Sequence, residues 1–155
     1  MGNSNGVKNI VKLIVSVFYI GFTPRIPGTA ASFAALLIFC FGHSNKIFIF
    51  SLMIISGILG FAFSGLAEKI FKKKDPKCIV IDEFFAMLLV LVFIKPTLPL
   101  LILAFVIFRL MDMLKFWPIK EIEKLSGSAG VMLDDCAAAL YTILVVQATM
   151  FFISS

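Results

Sequence analysis

Residues 47–67 run for 21 positions without one charged side chain. As an α-helix rising 1.5 Å per residue, this run is roughly 30 Å long, the thickness of a bilayer's hydrocarbon core. The rest of the chain agrees: 61% of residues are hydrophobic and only 15% charged, and mean hydropathy is +1.07. A soluble domain averages about 25% charged and about 45–50% apolar residues. The sequence therefore predicts an all-α integral membrane protein. Its 155 residues, 1–155, make a single domain and are too few for two.

A net charge of +5 could point to nucleic acid, but the basic residues lie between apolar segments. A membrane protein keeps its cytoplasmic loops there, so no nucleic-acid partner is expected. The N-terminus lacks the ordered regions of a cleavable signal peptide. Cys40, Cys78 and Cys136 are scattered in apolar surroundings, without a Cys-x-x-Cys pair, and read as small buried residues.

Taken in order, residues 7–22 place Val7, Ile10, Val11, Ile14, Val17 and Phe18 on one helical face, with Lys8, Asn9, Lys12 and Ser16 largely off it. That pattern predicts a helix lying in the membrane surface, a first spanning helix being the competing reading. Thr23 to Thr29 (TPRIPGT) contains two prolines and a glycine and cannot be regular helix. Thr29 is expected to cap the apolar helix that follows to about Phe41. Gly28 and Arg25 ahead of that helix suit a phosphate held on free backbone N–H groups, although an ordinary capped turn has the same sequence.

Further short spans are expected over residues 26–42 and 78–94, and from Pro99 into Arg109–Lys115. A last one covers 136–153, directly after Asp134 and Asp135. His43 falls in a turn and takes no role. Asp82 and Glu83 would sit in the first turns of their helix, near headgroup level. The expected architecture is an N-terminal interfacial helix followed by about five short spanning helices. With residues 1–25, 68–83 and 109–135 on one side, that side holds twelve of the fourteen Lys and Arg. The positive-inside rule makes it cytoplasmic. All nine acids then fall on the same side, although they were not used to choose it.

Charges set directly against membrane-grade apolar runs are costly and by default suggest function. Asp82-Glu83 and Asp134-Asp135 each precede alanines three and four residues on, so two helices could approach closely beneath the acids. Both pairs suit the positive end of a helix dipole. Gathered carboxylates repel one another, and a divalent cation resolves that repulsion. Oxygen donors without His or Cys favour Mg2+ over zinc. The competing reading is helix caps and salt bridges to neighbouring lysines. Arg109, Asp112 and Lys115, within two turns of one helix, could form a weak ion-pair string, or the cations could bind phosphate. Trp117 beside Pro118 fits an interfacial anchor. The residues alone thus indicate a metal–phosphate site at the membrane surface, with a lipid as ligand. Cys-x5-Arg, Asp-x-Asp and Asp-Gly-x-x-Ala-Arg signatures are absent.

The blocks Pro24-Arg25-Ile26-Pro27-Gly28-Thr29, Asp75 with Asp82-Glu83, Phe108-Arg109-x-x-Asp112-x-x-Lys115-x-Trp117-Pro118-Ile119 and Gly130-Val131-Met132-Leu133-Asp134-Asp135 occur together in order and spacing. In these the chain resembles the bacterial phosphatidylglycerophosphatase A family. The resemblance implies an all-helical, Mg2+-dependent enzyme that converts phosphatidylglycerophosphate to phosphatidylglycerol at the inner membrane. On the matching positions, Asp82, Glu83, Asp134 and Asp135 are expected to hold Mg2+, with Asp112 as a further ligand or a base. Arg25, Gly28, Thr29, Arg109 and Lys115 are expected to hold the phosphate. Two alternatives stay open at this point: a phosphatase for another lipid phosphate, and a non-enzymatic cation-binding membrane protein.

Overall fold

The structure, a computed structural model, describes residues 3–114, 116–117 and 119–154, with side chains described from residue 5 to residue 152. Its helices are α1 (Asn3–Val15), α2 (Pro27–Gly42), α3 (Lys46–Phe71), α4 (Ile81–Val92), α5 (Leu98–Leu114), α6 (Ile119–Ile122) and α7 (Ser128–Ser154), with a 3-10 turn at Ile20–Phe22. There is no strand among the described residues. Two helices, Lys46–Phe71 and Ser128–Phe152, are long and apolar enough to cross a membrane, and Pro27–Gly42 is a shorter apolar helix.

Helix α4 is the axis of the fold. Ala86, Met87, Leu88, Val90 and Leu91 are fully buried, and α2, α3, α5 and α7 all pack against it. A helix so bulky can be enclosed only where its neighbours are thin. Gly57 of α3 lies against the Phe85 ring, and Gly60 lies against Ile81 and Met132. Ala31 and Ala35 of α2, Ala104 of α5 and Ala138 of α7 belong to the same core. These small residues let the helices approach as close-packed interiors require.

The central helix departs from expectation in length. It has 12 residues, about 18 Å of helix, and does not extend back to Cys78. Residues 78–80 are held as a non-helical strap: Val80 N–H donates to the Val15 carbonyl at 2.9 Å, and Gly21 lies against the Cys78 carbonyl. With those residues tied to the N-terminal segment, the helix starts at Ile81, and Asp82 and Glu83 occupy its first turn as expected.

Three further expectations are corrected. Helix α2 starts two residues before Thr29, with Ile26 as its cap and Pro27 at the first position. Proline's fixed φ and missing N–H suit that position, so Thr29 lies inside the first turn. Helix α7 starts at Ser128, not beside Asp134, because Gly127 takes φ +71° and the Ser128 hydroxyl accepts the Gly65 N–H at 2.7 Å. Asp134 and Asp135 are thereby nearly two turns further in, where the pull of the dipole has faded. Finally, α1 ends at Val15, because Val17, Phe18 and Tyr19 all take left-handed backbone. Its Val11 and Val15 pack with Ala67, Ile79, Ile81 and Met132, so part of the face expected to lie on lipid covers α3 and the α4 entrance. Val7 and Ile10 remain exposed.

Candidate active site

The acids come together because α4, α5 and α7 bring their charged turns to one end of the bundle, beside the start of α2. One carboxylate oxygen each from Asp82, Glu83 and Asp135 lies within 4.8 Å of the others. Asp82 and Asp135 are buried, and Glu83 is nearly so. At this spacing, like charges repel by on the order of 3 kcal/mol per pair at an effective dielectric of about 20. Local backbone donors offset little of this: Glu83 N–H donates to Asp82 Oδ1, and Asp135 N–H donates to Asp134 Oδ1, both at 3.0 Å.

Arg109 is the cation set among them. Its Nη1 is 2.8 Å from Asp112 Oδ2, one turn along α5, and 3.9 Å from Glu83 Oε1. It also donates to the Ser32 hydroxyl at 3.4 Å, and that hydroxyl donates to the Gly28 carbonyl at 3.0 Å. Arg109 Nε and Glu83 Oε2 are buried without a hydrogen-bond partner. Such atoms are expensive to leave unsatisfied, and among the described residues none satisfies these two. Several carboxylates around one guanidinium, with an orphaned carboxylate oxygen, fit a hard divalent cation.

The expected site residues divide into groups. Asp82, Glu83, Asp112, Asp135 and Arg109 are assembled. Asp134 is buried beside them, close enough to Asp82 and Asp135 to interact electrostatically, and it lines a small cleft with Asp75 and Lys74. It is outside the three-oxygen group. Gly28 is buried with the Glu83 carboxylate against it, so a carboxylate faces the N-terminal end of α2, as the helix dipole favours. Thr29 is half-buried one residue on, and Arg25 is exposed on the preceding loop at φ 73°. Lys115 and Pro118 lie outside the described residues. Trp117 is exposed, and its carbonyl accepts the Tyr141 hydroxyl at 3.2 Å.

Ser32 escaped the sequence reading as a site residue. Its signal was a hydroxyl in an uncharged helix, one turn after Gly28 on the same face. Cysteine chemistry gains no support: burial pushes the Cys78 thiol up, only partly offset by Lys12 and Lys73, the opposite of what a thiolate nucleophile needs.

Comparison with known proteins gives the family of the chain. The family profile described as phosphatidylglycerophosphatase A matches residues 13–150. Phosphatidylglycerophosphatase A of Escherichia coli is 33% identical over 131 residues, covering 83% of this chain and 76% of that protein. The Haemophilus influenzae protein of the same name is 41% identical over 80 residues, 50% of this chain and 48% of its own. A Bacteroides thetaiotaomicron protein provisionally named a phosphatidylinositol-3-phosphatase is 29% identical over 142 residues, 86% of this chain and 89% of its own. No solved structure matches. The chain belongs to the phosphatidylglycerophosphatase A family.

Proposed function

We propose that the protein hydrolyses the terminal phosphate monoester of phosphatidylglycerophosphate, releasing phosphatidylglycerol and phosphate. The observation that carries this reading is the three-carboxylate group of Asp82, Glu83 and Asp135 beside the partly unsatisfied Arg109, in a chain of this family. The carboxylates would hold Mg2+, with Asp134 completing or orienting the set. Bound there, Mg2+ would supply Lewis-acid stabilisation of phosphoryl oxygens and ease deprotonation of water.

The chain's own residues do the rest. Arg109 can turn from Asp112 towards a phosphate, a planar fork suited to two of its oxygens. Asp112, released by that motion, is then placed to accept a proton from the attacking water. Arg25, exposed on its loop, and Lys115 add positive charge, and the Gly28–Thr29 end of α2 adds backbone donors for the charge that develops.

The whole chain acts as one membrane domain. The distribution of Lys and Arg supports an orientation with the acid cluster facing the cytoplasm at the inner membrane, where the phosphate of a bilayer lipid reaches the site without leaving its leaflet. The assay is phosphate release by purified protein on phosphatidylglycerophosphate, with and without Mg2+. Turnover undiminished by removal of divalent metal would overturn the metal role. The similarity to the Bacteroides protein supports a second substrate reading, another lipid phosphate monoester with the same chemistry. A panel including phosphatidylinositol 3-phosphate decides between them by relative kcat/KM.

A further inference from the structure

At the other end of α4 from the acids is a cavity of about 840 Å3, within the size range of ligand sites. Its wall is apolar and aromatic, formed chiefly by Phe39, Ile49, Phe50, Leu91, Phe93 and Met150. Two lysines, Lys46 at the start of α3 and Lys95 just after α4, stand at its edge. They are the two Lys or Arg residues that lie away from the acid end, and neither is in an ion pair with another described residue. No carboxylate lines the cavity, and all nine acids of the chain lie in segments at the opposite end. Among the described residues the mouth is therefore positive, above an oily interior.

We propose that this cavity is a second, non-catalytic lipid site that takes an anionic phospholipid from the bilayer. The acyl chains fill the space between the ends of α2, α3, α4 and α7, and Lys46 and Lys95 hold the headgroup phosphate. Apolar lining alone would accept any lipid or detergent. The two lysines are what select for charge, because ammonium groups beside a lipid surface attract an anionic headgroup over a neutral one. Polar ties at this end, Gln147 Nε2 donating to the Phe93 carbonyl at 2.9 Å and Phe48 N–H donating to Asn45 Oδ1 at 3.0 Å, do not involve the lysine side chains. The site is distinct from the acid cluster and does not depend on the enzymatic reading.

A single-tryptophan protein tests this directly. Trp117→Phe combined with Phe93→Trp places the fluorophore on the cavity wall, far from the acids. The protein is placed in phosphatidylcholine nanodiscs carrying 20% (about one lipid in five) of either brominated phosphatidylglycerol or brominated phosphatidylcholine. Quenching several-fold stronger with the anionic lipid is expected, and the difference should vanish after Lys46→Ser with Lys95→Ser. Equal quenching by the two lipids means general filling of an oily space and overturns the proposal. So does a preference that survives loss of both lysines. Should the tryptophan protein fold poorly, native mass spectrometry of the unsubstituted chain with phosphatidylserine against phosphatidylcholine gives the same decision: preferential retention that the double lysine variant loses, or no preference.

Discussion

The Glu83 carboxylate stands where a side chain on Gly28 would be. The close approach ties the acid of α4 to the first turn of α2 and fixes one edge of the site. In Gly28→Ala, Glu83 must leave that place and the three-oxygen group opens. Activity should fall by about 100-fold or more, as is typical when a catalytic group shifts by an ångström. Helix content by circular dichroism should be unchanged. An alanine variant with near-normal turnover would mean that Glu83 is not positioned there for catalysis.

Arg109 pairs with Asp112 and approaches Glu83 through one nitrogen, Nη1. Lysine keeps the charge and loses the fork. Arg109→Lys is therefore expected to lower kcat/KM by roughly 10- to 100-fold and Arg109→Gln by considerably more, the loss of a charged contact in a buried site exceeding that of a neutral one. Equal activity of the lysine variant and the parent would remove the planar geometry from the mechanism.

Ser32 touches the acid cluster through Arg109, whose Nη1 donates to its hydroxyl at 3.4 Å, and in the proposed function it would position that guanidinium. Ser32→Ala removes a hydrogen bond from a charged donor, a class worth about 1.5–3 kcal/mol, and at 3.4 Å the lower end is expected, about 10-fold in rate. The loss should disappear when measured in an Arg109→Gln background, since the hydroxyl then has nothing to position. Additive losses in that double-variant cycle would assign Ser32 a separate role.

Neutralising one member of the carboxylate group has opposite effects with and without metal. Asp135→Asn relieves repulsion among Asp82, Glu83 and Asp135, so the metal-free protein should become more heat-stable in EDTA. The same change should abolish any rise in Tm on adding Mg2+ and remove activity. A variant less stable in EDTA, yet still stabilised by Mg2+, would place the cation elsewhere.

Cys78 offers a pH test outside the helices. Burial raises its thiol above the ordinary value, so less thiolate is present at any pH below it. Alkylation by iodoacetamide should be slower than for a free peptide thiol at pH 8 and should approach it only at more alkaline pH. Fast labelling at neutral pH would show the strap over residues 78–80 to be open.

Much of the site could be read from the sequence because its chemistry is written in single residues. Charges beside apolar runs are rare enough that Asp82, Glu83, Arg109, Asp112 and Asp135 identified themselves. Helix starts were harder. Thr29 has the better capping side chain, yet Pro27 at the first position decides where α2 begins. Asp134-Asp135 resemble a helix entrance, but the Gly65–Ser128 contact, 63 residues apart in sequence, starts α7 earlier. The left-handed run Val17–Tyr19 has no glycine to announce it, and only the strap that follows Pro76 explains where α1 must stop. Non-local contacts of this kind leave no periodic trace in the chain.

Helix α4 is about 18 Å long and enclosed by helices of 26 and 27 residues. In a membrane, as proposed above, a bilayer that thickens or thins would act on the outer helices by tilting them, while a helix enclosed on all sides is shielded from that adjustment. Asp82 and Glu83 would then stand on a post and Asp135, on α7, on the wall, so the spacing between the two helices' acids is what the lipid composition of the surrounding membrane could change.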